Sequence, residues 1–391
     1  MEESRFAKRM QNVAGNVIRE LLKLTQQPDI ISFAGGMPAV ESFPSELLAD
    51  IASDVLRKDK SILQYGTTEG LWPLREYIAH WVKDIGIVAS PSDVLITSGS
   101  QQGIDLLSKA MLDPGEKVVV ESPTYLAAIQ IFKTYEASFL VAHGDNNGVN
   151  VDELDEIIRH EKPKIVYLVP TFQNPTGITM SLERRQEIGK MLAKHQVVFV
   201  EDDPYGRLRY AGIALPSIKS FDASNQVTYV GSFSKIVSPG IRVGFTIAPA
   251  PLLRKMVIGK QGTDVHTSNL SQALVYEFCR RGLIAPHLAS INAMYTRKLA
   301  VMKECLKMFP DNIKWTSPEG GLFIWGVLPE GINAAKLLEA SLKEKVAFIP
   351  GETFFVEGGH QNTIRLNFSH ASEELIREGM GRLARVYATF I

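Results

Sequence analysis

Residues 226–235 read Gln226-Val227-Thr228-Tyr229-Val230-Gly231-Ser232-Phe233-Ser234-Lys235, with Arg242 seven positions further on. A β-branched and aromatic run favours a pleated strand, and the small residues after it break the strand into a turn. The stretch is therefore a strand over Gln226–Val230, and Lys235 is the lone charge in the turn past its carboxyl end. An open parallel sheet places its ligand at that end. Burial among neutral groups, with another cation near, depresses a lysine's pKa and turns its amine into a nucleophile for carbonyl carbon. Ser232, Ser234 and Arg242 would then supply donors and a positive charge for a phosphate. The segment by itself reads equally well as a lysine on a surface turn. Ser232-Phe233-Ser234-Lys235 also fits the S-x-x-K of acyl-serine enzymes, but the chain has neither S-D-N nor K-T-G to accompany it.

Outward from this stretch, short apolar runs alternate with helix-period segments, the pattern of a mostly parallel sheet flanked by helices. The expected strands are Val94–Thr97, Lys117–Val120, Ser138–Ala142, Lys164–Val169, Gln196–Val200, Gln226–Val230 and Val243–Ala248. Several are continuously apolar, as strands buried on both faces are. After about Leu283 the pattern becomes a long helix (Ala285–Met308), strand-like pieces at Gly321–Val327 and Thr363–Phe368, and a C-terminal helix. The N-terminal segment offers an amphipathic helix around Val17–Thr25 and a Gly-rich stretch, Ser32–Pro38, containing Gly36. The expected class is α/β, with a large sheet domain over residues 46–283 and a smaller α+β unit from residues 284–391 joined by residues 1–45.

With 391 residues the chain has room for two or three domains, and its apolar fraction of 45% excludes a disordered protein. Forty-two Lys and Arg against 43 Asp and Glu leave a net charge of −1, so no global field steers it to nucleic acid or anionic lipid. A charged ligand must be held by local groups. Cys279 and Cys305 are too few for a disulfide framework and read as buried filler in a reducing compartment. The acidic start Met1–Arg5 lacks a signal-peptide core behind it, and no uncharged run is apolar enough to span a bilayer. The expectation is a cytoplasmic protein with no membrane or nucleic-acid partner.

Three more strand ends carry chemistry. Glu201-Asp202-Asp203-Pro204-Tyr205 follows the strand Gln196–Val200. Its carboxylates could bind Mg²⁺, or Asp202 could keep a heterocyclic nitrogen protonated. Pro170-Thr171-Phe172-Gln173-Asn174-Pro175-Thr176-Gly177 is a stiff loop that presents the Asn174 amide, suited to a phenolate oxygen, although Asn-Pro is also an ordinary turn opener. Thr97-Ser98-Gly99-Ser100-Gln101-Gln102-Gly103 joins a strand to a helix, whose free N–H groups and dipole make a phosphate seat. It matches neither G-x-x-x-x-G-K-[ST] nor G-x-G-x-x-G, which disfavours nucleotide triphosphatases and nicotinamide dehydrogenases.

A lysine, an aspartate, an asparagine and an anion seat, each at a different strand end, match the needs of pyridoxal 5′-phosphate (PLP). Through Ile18-Arg19-Glu20-Leu21, Gln173–Gly177, Gly231–Lys235 and Ile364-Arg365-Leu366-Asn367-Phe368, the chain resembles fold-type I PLP-dependent aminotransferases of class I/II, in particular the 2-aminoadipate/kynurenine aminotransferase-like branch. The resemblance implies that Lys235 is the cofactor's covalent anchor and, once released, the base and acid of a 1,3-proton shift. It implies Asp202 on the pyridinium nitrogen, Asn174 and Tyr205 on the ring oxygen, and Tyr125 stacked on the ring. Ser100, Gln101, Ser232, Ser234 and Arg242 would line the phosphate site, and Tyr65 would reach the phosphate of a neighbouring subunit, so a homodimer is expected. Arg365 would clamp the substrate α-carboxylate, beside Asn174 and Gly36. Arg19 either meets an acidic substrate side chain or is a solvated charge. Expected partners are an amino acid and a 2-oxo acid such as 2-oxoglutarate, exchanging the amine in ping-pong order.

Overall fold

The computed structural model describes residues 5–11 and 29–390. The expected N-terminal helix and Arg19 lie outside them. Seven strands form the main sheet: β1 (Val94–Thr97), β2 (Lys117–Glu121), β3 (Ser138–Ala142), β4 (Ile165–Leu168), β5 (Val198–Asp203), β6 (Val227–Ser232) and β7 (Gly244–Ile247). Their order across the sheet is β1-β7-β6-β5-β4-β2-β3. Neighbours are parallel except β7, which runs antiparallel to both β1 and β6. All seven expected strands are present. The continuously apolar ones are buried along their whole length, while β3, at the sheet's edge, is only partly covered.

Two strands run further than expected. Glu201, Asp202 and Asp203 are the last residues of β5, and Gly231 and Ser232 end β6. Hydrogen bonding outweighed side-chain polarity: Asp202 pairs with Val230 and Asp203 with Gly231 across the ladder. Gly231 permits this closure, because a Cβ there would lie 2.3 Å from the Phe245 ring on β7.

Helices α1 (Ser100–Met111), α2 (Leu126–Thr134) and α3 (Ala250–Gln261) cover one face of the sheet, where Ile104, Leu107, Phe132 and Met256 share a core with Val118, Val120 and Val230. Beyond them α4 (Ile284–Leu306) bridges two cores. Its first half packs Ile284, Ile291 and Tyr295 beside Phe233 and Phe245, and its second half packs Leu299, Met302 and Cys305 against the C-terminal unit. That unit holds a four-stranded antiparallel sheet, Lys314–Trp315, Phe323–Val327, Thr363–Asn367 and Ile349–Pro350 in spatial order, and a final helix, Glu373–Phe390. The chain's early residues join it: Ile31–Ser32 pairs in parallel with Val346–Ala347, and Phe33 is buried in the same core. Strand periodicity splits the two cores at one point, Phe323 facing the first and Ile324 the second. Among the described residues no helix is long and apolar enough to cross a membrane.

Candidate active site

Past β6 the chain turns tightly, the Val237 N–H donating to the Phe233 carbonyl at 2.8 Å. Phe233, Ile236 and Val237 are buried, and Phe233 stacks on Trp81 with centroids 5.5 Å apart. With those three side chains committed to the core, Ser232, Ser234 and Lys235 line a cavity of about 600 Å³. Lys235 Nζ donates to the Gly36 carbonyl at 2.8 Å. Enclosure by protein pulls its pKa down to about 8, and the nearby Arg242 and Arg365 act in the same direction. The amine is thus partly neutral near neutral pH, as a nucleophile requires.

On β5, alternation sends neighbouring carboxylates to opposite faces. Glu201 accepts from Ser217 and from the Ile218 and Lys219 N–H groups, and Asp203 accepts from the Tyr229 hydroxyl and the Gly206 N–H. Only Asp202 of the three lines the cavity. The Mg²⁺ reading of this run therefore falls, since a shared cation needs the carboxylates on one side; among the described residues no His, Cys, Asp and Glu group is arranged to hold a metal. Asp202 Oδ2 accepts from the Tyr167 hydroxyl at 2.6 Å. Its other oxygen, Oδ1, is buried and has no partner among the described residues. Burial pushes the Asp202 pKa up to about 7, opposed by the Tyr167 hydrogen bond and reinforced by Asp203.

The loop after β4 is fixed by its own side chains. Gln173 accepts from the Thr176 N–H at 2.8 Å and hydroxyl at 2.6 Å, and donates to the Pro123 carbonyl at 2.7 Å. Gly177 closes it at φ +73°, where a Cβ would sit 2.6 Å from the Phe323 carbonyl. Asn174, held at the tip, accepts from Arg365 at 2.8 Å and directs its amide N–H at the Tyr205 hydroxyl, 3.5 Å away. Burial raises the Tyr205 pKa, so its hydroxyl stays protonated.

Arg365 lies inside the strand Thr363–Asn367 and is 2% exposed. Phe323 and Phe354 sandwich its guanidinium at 4.3 and 4.9 Å. It donates to the Ala34 carbonyl at 2.6 Å and to Asn174, and it forms no ion pair with an acid among the described residues. Burial lowers its pKa to about 10, still a cation at neutral pH, so a buried charge faces the cavity without its counter-ion.

The anion seat lies where α1 begins. Gly99 caps the helix at φ +85°, and Gly244 lets β7 approach, since a Cβ on it would be 2.6 Å from the Ser100 nitrogen. Arg242 donates to the Ser98 carbonyl at 2.9 Å and reaches Ser234 Oγ at 3.5 Å. Ser100 and Gln101 line the cavity from the helix's first turn, whose N–H groups have no intrahelical acceptor. Tyr125, at the start of α2, and Gly36 complete the wall.

Twelve of the fourteen residues singled out from sequence thus share one cavity: Gly36, Ser100, Gln101, Tyr125, Asn174, Asp202, Tyr205, Ser232, Ser234, Lys235, Arg242 and Arg365. Tyr65 stands apart, 81% exposed and edge-on to His266. Tyr167, Phe323 and Phe354 escaped the sequence reading, because apolar strand and turn residues give no sign of which polar group they will support.

A model of the family "Aminotransferase class I and II" matches residues 28–383. The chain belongs to this family. The aminotransferase is 43% identical over 390 residues to aromatic-amino-acid aminotransferase 1 of Thermococcus litoralis, covering 98% of this chain and 94% of the relative. It is 42% identical over 387 residues to the 2-aminoadipate transaminase of Thermus thermophilus, covering 97% and 96%. A crystal structure of Pyrococcus horikoshii kynurenine aminotransferase, in complex with PMP, KYN and KYA, superposes with a TM-score of 0.95 at 42% identity, over 100% of this chain and 98% of that one. The fold is type I, and the enzyme is a PLP-dependent aminotransferase. Its cavity fits that cofactor: a buried carboxylate oxygen without a partner suits a ring N–H, and the glycine-lined helix start beside Arg242 suits a phosphate.

Proposed function

We propose that this aminotransferase takes the amine from an L-amino acid, of the 2-aminoadipate, glutamate, aromatic or branched aliphatic type, and passes it to a 2-oxo acid such as 2-oxoglutarate. Bound PLP supplies an electron-accepting ring conjugated to the carbon that loses its proton. Lys235 Nζ would anchor the cofactor, and its freed amine would serve as the base and then the acid that moves the substrate's α-proton in a 1,3-shift. Asp202 Oδ1 holds the proton on the ring nitrogen. Asn174 and Tyr205 hold the ring oxygen, Tyr125 covers the ring, and Ser100, Gln101, Ser232, Ser234 and Arg242 hold the phosphate.

The observation that carries this reading is Arg365, a buried cation without an acid partner among the described residues, lining the same cavity as Lys235 and as Asp202 with its unpartnered oxygen. A guanidinium fork suits a carboxylate bidentately. One such clamp also supports ping-pong order, because donor and acceptor each carry the carboxylate it binds and must use it in turn. Substrate breadth is supported by relatives named for aromatic amino acids, 2-aminoadipate and kynurenine. The further parts of the proposal are a cytoplasmic homodimer in which the exposed Tyr65 reaches the neighbouring site, and a division into a cofactor domain over residues 46–283 and a small domain from the rest. A panel of amino donors assayed with 2-oxoglutarate tests the activity. Glutamate formation that depends on the donor supports it, and release of ammonia without glutamate points instead to a lyase.

A further inference from the structure

Behind the anion seat lies a polar cluster, built around a buried lysine, none of whose residues lines the cavity. Lys260, in the last turn of α3, is 0% exposed. Its Nζ donates to Gln102 Oε1 at 2.6 Å, to both Asp264 oxygens at 2.9 Å and to Thr267 at 3.1 Å. Gln102 Nε2 donates to Asp264 at 2.7 Å. Donor-only ammonium and acceptor-only carboxylate therefore fix which end of the Gln102 amide points where. Oε1 is left facing Ser98, whose N–H it accepts at 2.7 Å. The Ser98 hydroxyl donates to Asp264 at 3.0 Å, and the Ser98 carbonyl accepts from Arg242 at 2.9 Å. Every polar atom of Ser98 is thus engaged, and the peptide that joins it to Gly99 is oriented from behind.

We propose that Lys260, Asp264 and Gln102 are positioning residues for the cofactor phosphate. Through Ser98 they hold both the Arg242 fork and the exposed first turn of α1 in the geometry the phosphate needs. The proposal rests on the PLP site described above. Their effect is confined to the seat, since none of them reaches Lys235, Asp202 or Arg365.

The test compares PLP with pyridoxal, which has the same ring and aldehyde but no phosphate, by equilibrium titration of apoenzyme and by the ³¹P resonance of bound PLP. In Lys260→Met the preference for PLP over pyridoxal should fall about tenfold, the loss of one charge-assisted positioning bond, with pyridoxal affinity nearly unchanged and the ³¹P signal shifted. Gln102→Met leaves the Lys260–Asp264 pair intact, so it keeps the test valid if the buried lysine is needed for folding; the same loss of preference is expected. Equal weakening of both ligands, or of neither, in Gln102→Met overturns the proposal. A wild-type apoenzyme that shows no preference for PLP would overturn the phosphate site itself, a distinct result.

Discussion

The Tyr167 hydroxyl donates to one oxygen of Asp202 at 2.6 Å, while the other oxygen is buried and has no partner among the described residues. Strand register makes this pair: Tyr167 on β4 lies opposite Val200, so its ring reaches the same face as Asp202 two residues further along β5. The bond stabilises the carboxylate against its own burial. Tyr167→Phe should raise the Asp202 pKa further and lower kcat/KM about tenfold, and Asp202→Asn should lower it by far more, because an amide cannot keep the ring nitrogen charged. Steady-state kinetics at saturating PLP check both.

The same carboxyl makes apoenzyme stability depend on pH. Its folded pKa is raised, to about 7, so between the ordinary aspartate value and 7 the folded state binds more protons than the unfolded one, and stability falls as pH rises through that window. Asp202→Asn removes this slope. The Tm of the variant minus that of wild type should therefore increase from pH 4 to pH 7; a constant difference contradicts the argument.

Lys235 has the opposite sign. With a folded pKa lowered to about 8, its amine becomes neutral well below the pH at which a solvated lysine does. The rate at which apoenzyme captures PLP covalently should rise with pH and level off above about 8. A rate still climbing at pH 10 would mean that burial does not tune this lysine.

Gly99 is held at φ +85°, and a Cβ on it would lie 2.3 Å from the Arg242 guanidinium. Gly99→Ala must move that group or the loop. PLP affinity should fall about tenfold or more, read by fluorescence titration, with a smaller effect on pyridoxal.

Arg365→Lys keeps the charge but loses the planar fork packed between Phe323 and Phe354. KM for amino donor and oxo acid should both rise about a hundredfold, since both use the clamp. We also propose that Arg19 selects acidic side chains. Arg19→Ala should then lower kcat/KM for 2-aminoadipate about tenfold relative to leucine, and an unchanged ratio removes that role.

The main sheet was legible because each strand is an apolar run bounded by turn residues, and the site because its polar residues interrupt those runs at their carboxyl ends. What sequence misjudged was the length of β5 and β6. Glu201-Asp202-Asp203 reads as a loop by polarity, yet ladder pairing carries the strand through it and parts the carboxylates between two faces. The supports of Arg365 were hidden for another reason. Phe323 and Phe354 are distant from it in sequence and meet it only through tertiary packing, and neither position differs in sequence from ordinary core. The Lys260–Asp264 spacing is that of any solvated helix pair, and only burial distinguishes it.

The central claim, that Lys235 anchors PLP in this cavity, is tested by borohydride reduction of the PLP-loaded enzyme followed by peptide mass spectrometry. One phosphopyridoxyl group per chain on the peptide carrying Lys235, absent in Lys235→Ala, is the expected result. A modified lysine elsewhere, or no modification of a PLP-saturated enzyme, would contradict the account.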